Sequence, residues 1–185
     1  MDLKLKEYEK KLFLSRARAA IAHHLKIPYD IPGSDTQKTS IDHEKLGAFV
    51  TIHMNGELRG CIGYIKGFES LEIEIENLAI QSAFHDPRFH PLTAGEFSKI
   101  NLEITLLSPF ERIDKPDDFE IGIHGLYLTY HGFSGVFLPQ VATEQGWNKE
   151  EFLKHLTYKA GLDPSILNKK DYNLYKFSGV IFSES

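Results

Sequence analysis

The sequence predicts an α+β fold, mainly antiparallel sheet with flanking helices, on three observations. Helical and strand periodicities alternate along the 185 residues. The strand candidates meet at hairpin turns, Asn55-Gly56 and His131-Gly132, rather than through crossover helices. Runs of polar and apolar residues are mixed, with no internal repeat and no low-complexity segment.

Residues 3–25 read as one long helix. Leu5, Tyr8, Leu12, Ala19 and Ala22 recur at near-helical spacing between Lys, Glu and Arg. His23 and His24 fall in its last turn, where positive charge suits the helix dipole. Pro28 and Pro32 end it, and Ile27 to Ser40 reads as a loop. Gly47 to Met54 is a predicted strand, and Glu57 to Ile65 is its return arm. Ser70 is placed to cap a helix running to about Ala83 or Phe84. Thr93 and Glu96 have capping-box spacing for a short helix. From Asn101 to Leu107, Leu102, Ile104 and Leu106 alternate with polar residues, as in a strand with one buried face.

Leu126 to Tyr130 and Phe133 to Leu138 make the second hairpin. Gln140 and Glu144 face outward if a helical turn follows Pro139. Asn148 and Glu151 open a helix that ends at Gly161. Asn173 to Phe182 reads as one final strand.

The length fits a single domain, 1–185, with residues 1–11 read as an N-terminal extension of the first helix. A net charge of −5 argues against broad nucleic-acid binding, which needs a basic surface. Cys61 is the one cysteine, so no intrachain disulfide forms, and a reducing, cytoplasmic setting is expected. No stretch reaches the ~20 apolar residues that cross a bilayer. No membrane partner is expected.

The most informative segment is Leu58-Arg-Gly-Cys-Ile-Gly63. On a regular strand Arg59 and Cys61 share one face, and the guanidinium favours a thiolate. A bulge at Gly60 would break that relation. Gly60 and Gly63 remove side chains where something else approaches the backbone. The alternative is a small buried cysteine with turn glycines. His124, bracketed by Gly122 and Gly125, is a candidate proton carrier for the thiol, or a turn histidine. His85, Asp86 and His90 lie close in sequence but match no metal-ligand spacing, so neither metal nor cofactor is expected. Arg59, Lys66 and Arg88 suit a small anion pocket, or solvated surface.

Several segments together resemble one family. They are Leu58-Arg-Gly-Cys-Ile-Gly63, Asp86-Pro-Arg-Phe89 with Pro91-Leu92, the strand end at Leu107-Ser-Pro109, and His124-Gly-Leu126. Leu138-Pro-Gln-Val141, Gly146-Trp147, Phe152-Leu153 with His155-Leu156, and Lys159-Ala-Gly-Leu162 follow in order. From about Leu12 onward the chain resembles the AMMECR family, in particular the prokaryotic group called AmmeMemoRadiSam system protein A. His85 stands where many members carry Arg, and His90 where many carry Pro.

The resemblance implies a larger and a smaller lobe. It implies a cleft around Arg59, Gly60, Cys61, Gly63, Asp86, Pro87, Arg88, Phe89, His124 and Gln140. It also implies a Memo-like protein and a radical SAM protein as partners, and it supplies no reaction. Two functions remain open. In one, Cys61 is an activated thiol, with Arg59 lowering its pKa and His124 moving protons. In the other, Gly60, Gly63, Asp86, Arg88, Phe89 and Gln140 belong to a binding module for a partner protein or a small anion.

Overall fold

Asn55 and Gly56 both have positive φ, 55° and 82°, and turn the chain back on itself as a two-residue hairpin requires. His131 and Gly132 do the same at 46° and 87°. In the computed structural model, which describes residues 3–31, 38–169 and 171–184, these two hairpins seed two sheets in two compact units. One unit is Lys4–Leu107 with Val180–Ser185, and the other contains Ser108–Gly179. The helices are α1 (Glu7–His24), α2 (Leu71–Phe84), α3 (Pro139–Gln145) and α4 (Lys149–Lys159). The strands are β1 (Ala48–Met54), β2 (Glu57–Tyr64), β3 (Ile100–Leu107), β4 (Glu111–Ile113), β5 (Gly125–Tyr130), β6 (Phe133–Phe137), β7 (Asn173–Phe177) and β8 (Gly179–Ser183). The fold is α+β with antiparallel sheets, as the hairpin connections predict.

In the larger unit the sheet order is β2-β1-β3-β8. Val50 pairs with Ile104 and Ile52 with Leu102, so their side chains share one face. That face is fully buried, together with Phe13 and Ile21 of α1 and Leu71, Ile75 and Leu78 of α2. Each such side chain contributes roughly 1.5–3 kcal/mol by leaving water. Arg16 and Asp42 join inside this unit at 2.7 Å, and Asp42 also accepts from Thr39 N–H at 2.9 Å. Glu9 accepts from the N–H groups of Lys6 and Ser40, which ties the start of α1 to the loop that follows the helix.

The smaller unit has the order β4-β7-β5-β6. Its core gathers Leu126, Leu128, Phe152, Leu156 and Leu174, with Phe119 and Ile113 at its margin. Asn148 caps α4 as expected: its side chain accepts from Glu151 N–H, and Glu151 accepts from Asn148 N–H.

Three expectations change. Asn173–Phe182 is not one strand but two, β7 and β8, in different sheets. The break falls at Ser178, whose N–H donates to Ser108 Oγ while its carbonyl accepts from Ser108 N–H. Ser70 occupies the N-cap of α2 but makes no side-chain capping bond. Thr93 and Glu96 do bond, yet they lead into a single turn of 3₁₀ helix, Phe97–Lys99. Of the predicted loop Ile27–Ser40, residues 32–37 lie outside the described residues.

Candidate functional site

The strand carrying Cys61 is irregular at the residue before Gly60. Ile52 pairs with Gly60 and His53 pairs with Leu58, which leaves Arg59 without a partner on β1. Arg59 is therefore the extra residue of a β-bulge. Its guanidinium reaches Glu96, Nε to Oε1 at 3.0 Å and Nη2 to Oε2 at 3.3 Å. Cys61 resumes the ladder opposite Thr51, and its Sγ lies 3.3 Å from Thr51 Oγ1. The regular-strand pairing of Arg59 with the thiol gives way to two separate partnerships, for the reason a bulge supplies. Glu96 also accepts from Thr93 N–H and Oγ1. The Arg59 bond above all, then the Thr93 bonds, outweighs burial and pulls the Glu96 carboxyl from 4.5 to about 2.

Both main-chain groups of Cys61 face the open edge of the sheet, because β2 is an outer strand. Asp86 and Arg88 close that edge. Asp86 Oδ2 accepts the Cys61 N–H at 2.9 Å, and Arg88 Nη2 donates to the Cys61 carbonyl at 3.1 Å. Arg88 also donates to Asp86 from Nε at 3.0 Å and from Nη2 at 2.7 Å, and its N–H adds a bond at 3.1 Å. Asp86 is 4% exposed, and these donors, Arg88 first, hold its carboxyl well below the usual carboxylate range. Pro87 between them fixes one backbone angle and shortens the search for this geometry.

Ser82 of α2 holds the inner side. Its hydroxyl accepts from Ile62 N–H at 2.9 Å and donates to Val50 carbonyl at 2.7 Å. Ile62 and Val50 are register partners, so the hydroxyl stands inside the β1–β2 ladder as a bridge. Close approach of α2 explains Gly60: a Cβ there would lie 2.1 Å from the Ser82 carbonyl oxygen. A Cβ on Gly63 would lie 2.2 Å from the Phe49 ring. The two glycines thus admit a helix and an aromatic ring of the protein itself.

Phe89 follows the clamp. The Arg88 guanidinium stands 5.5 Å from its ring centroid and that of Arg59 6.0 Å. Arg59, Arg88, Phe89, His90, Thr93 and Glu96 line a depression of about 440 Å³. Arg88 is half-exposed there, while Asp86 beneath it is buried. Among the described residues no group of three or more His, Cys, Asp or Glu is placed to hold a metal ion. His85 ends α2 as its C-cap residue.

His124 and Gln140 belong to the smaller unit. His124 Nδ1 accepts the Glu120 N–H at 3.0 Å, and the His124 N–H donates to the Glu120 carbonyl at 2.9 Å. This bracing closes the turn in which Gly122 has φ 79°. Gln140 sits in the first turn of α3, next to Pro139. Within the larger unit the structure brings together Arg59, Gly60, Cys61, Gly63, Asp86, Arg88 and Phe89. Thr51, Ser82 and Glu96 complete this group and were not among the candidates. Ser82 had a legible signal, since it is a polar residue in the apolar row Leu71, Ile75, Leu78 of α2.

Known proteins resemble the chain over most of its length. The chain is 35% identical over 188 residues to a protein of Methanothermobacter thermautotrophicus, covering 95% of this chain and 94% of that one. It is 36% identical over 192 residues to protein PYRAB00100 of Pyrococcus abyssi, covering 98% and 93%. The crystal structure of uncharacterized protein PH0010 from Pyrococcus horikoshii superposes with a TM-score of 0.79 at 34% identity, covering 99% of this chain and 95% of that one. The family model AMMECR1 matches residues 14–182, which span the Cys61 bulge, the Asp86–Arg88 clamp and the Leu138-Pro-Gln-Val141 segment. On that match and those relatives, the chain belongs to the AMMECR1 family.

Proposed function

We propose that this AMMECR1-family chain is a cytoplasmic binding component of a protein- or small-molecule-modification system that includes a Memo-like protein and a radical SAM protein. Its contact surface is the ground around Arg88, Phe89 and His90. One observation carries the reading: the charges beside Cys61 are committed to shape. Asp86 and Arg88 fix both main-chain groups of Cys61, and Glu96 holds Arg59. No histidine or carboxylate hydrogen-bonds the Cys61 sulfur among the described residues, and its partner there is the Thr51 hydroxyl. A nucleophilic thiol needs an adjacent base or an uncommitted cation. What remains open is the half-exposed side chain of Arg88, the half-buried Phe89 beside it and the exposed His90. That combination suits a carboxylate or another small anion on a partner's surface loop.

A thiol enzyme is the second reading. It is favoured by the half-buried state of Cys61 and by the Arg88 guanidinium, which donates to the Cys61 carbonyl. Calorimetric titration of the chain with the Memo-like protein of its own organism separates the two. The binding reading expects Cys61→Ala to bind as the native chain does. It expects His90→Glu, which adds a negative charge without touching the clamp, to weaken binding by about tenfold, the equivalent of ~1.4 kcal/mol. Rapid, pH-dependent alkylation of Cys61 by iodoacetamide, with loss of cellular function in Cys61→Ser, would replace the binding reading with the enzyme reading.

A further inference from the structure

A second depression, of about 330 Å³, lies beside the start of α2 and shares no residue with the site around Cys61. Tyr64, Phe68, Glu69, Glu74, Asn77 and Gln81 line it. Two features there are unusual for plain surface. The first is an aromatic corner. The rings of Tyr64 and Phe68 stand 5.2 Å apart at 89°, and the residues are 42% and 64% exposed. The second is Glu74, which is 3% exposed. Its Oε2 accepts the Glu69 N–H at 3.2 Å, while its Oε1 is buried with no hydrogen-bond partner among the described residues.

A buried carboxylate oxygen without a donor is costly, and the cost falls when a cation with hydrogens arrives. The start of α2 offers a favourable dipole to Glu74 but no hydrogen for Oε1. No Lys or Arg is among the residues that line the depression. Aromatic faces attract alkylated and primary ammonium groups through the ring quadrupole, and an acidic floor adds to that attraction. Glu69 contributes a second carboxylate at the rim, and Asn77 and Gln81 carry amide oxygens able to accept N–H bonds. We propose that this depression is a binding site for an alkylammonium group, supplied either by a lysine side chain of another protein or by a free amine. It is independent of the function proposed above.

The test is titration of the native chain with tetramethylammonium chloride, n-butylammonium chloride and the peptide acetyl-Ala-Lys-Ala-amide. Sodium chloride at equal ionic strength is the control, and the readout is the ¹H–¹⁵N signals of Phe68 and Glu69. Saturable shifts with the organic cations and not with sodium are expected. Stronger binding of the lysine peptide than of butylammonium assigns the site to a protein lysine, and the reverse order assigns it to a free amine. Phe68→Ala and Glu74→Gln should each weaken binding by about tenfold. Shifts that do not saturate, that sodium reproduces, or that survive both substitutions would overturn the proposal. Should Glu74→Gln fail to fold, Phe68→Ala and Tyr64→Ala decide it.

Discussion

Strands β2 and β6 are both outer strands, both begin at a two-residue turn with positive φ, and both press a glycine against helix backbone. Gly60 of β2 meets the Ser82 carbonyl of α2, and Gly135 of β6 meets the Leu156 carbonyl and Ala160 N–H at the end of α4. They differ in what surrounds the glycine. The β5–β6 ladder runs through five pairs without a register shift. The β1–β2 ladder shifts at Arg59, admits a serine hydroxyl, and has its outer edge closed by an aspartate and an arginine. A regular ladder is held by its own hydrogen bonds. An irregular one needs polar side chains from elsewhere, here from residues 82, 86 and 88. Those side chains are ordered by the same bonds, so the irregular strand gathers fixed polar groups that the regular one does without.

The comparison is sharpest at the glycines. Gly60→Ala should destabilise by about 3 kcal/mol or more, since the new Cβ meets backbone 2.1 Å away. Gly135→Ala, with its nearest contact at 2.8 Å, should cost about 1–3 kcal/mol. Urea midpoints of the two variants test the order, and a reversed order would break the comparison. Next, Ser82→Ala leaves Ile62 N–H and Val50 carbonyl without their bridge, at a cost of about 2 kcal/mol. Asp86→Asn weakens four donated bonds at once and should cost a similar amount, about 2 kcal/mol. Cysteine alkylation rates in both variants should rise as the edge opens.

Acid should distinguish the two strands as well. Glu96 and Asp86 have carboxyl groups held below their ordinary 4.5 and 3.8. A depressed folded pKa contributes stability that is complete above the ordinary value and is lost as pH falls through the folded one. Protection of the amides around Cys61 should therefore fall from about pH 4.5 downward, through the Glu96 value of about 2. Amides of β6 away from the His131 turn, where Asp171 has a lowered carboxyl pKa of its own, should follow global unfolding alone. Native-state hydrogen exchange, corrected for intrinsic rates, reads both at once. The smallest effects belong to the turns. Gly56→Ala and Gly132→Ala meet no neighbour within 4 Å but force a left-handed φ on alanine. Both should cost about 1 kcal/mol, and equal costs would locate the difference between the hairpins in their strands.

Much of this was legible in the sequence because it is local. Asn55-Gly56 and His131-Gly132 announced their hairpins, and Asn148 with Glu151 announced α4. The residues of the clamp were singled out too, but their contacts were not. A bulge is a relation between strands, and nothing in Leu58-Arg-Gly-Cys says which residue the partner strand skips. The Arg59–Glu96 bond spans 37 positions and needs that skip to form. The division of the last strand was hidden for a similar reason. Leu174, Phe177 and Phe182 supply apolar residues on both sides of Ser178, and only the meeting with Ser108, 70 positions earlier, shows where the chain changes sheet. β4 escaped notice because three residues are too short for any periodicity to register.

That late change of sheet sets an order of assembly on the ribosome. β7 lies between β4 and β5 and is followed at once by β8, so the smaller sheet is completed only just before the larger one gains its edge. Arg18 waits even longer. Its guanidinium is held by Glu184, 166 positions downstream, and the same glutamate accepts the N–H of Leu102. Until β8 is made, the unit that contains Cys61 has unpaired β3 groups to shield from neighbouring chains.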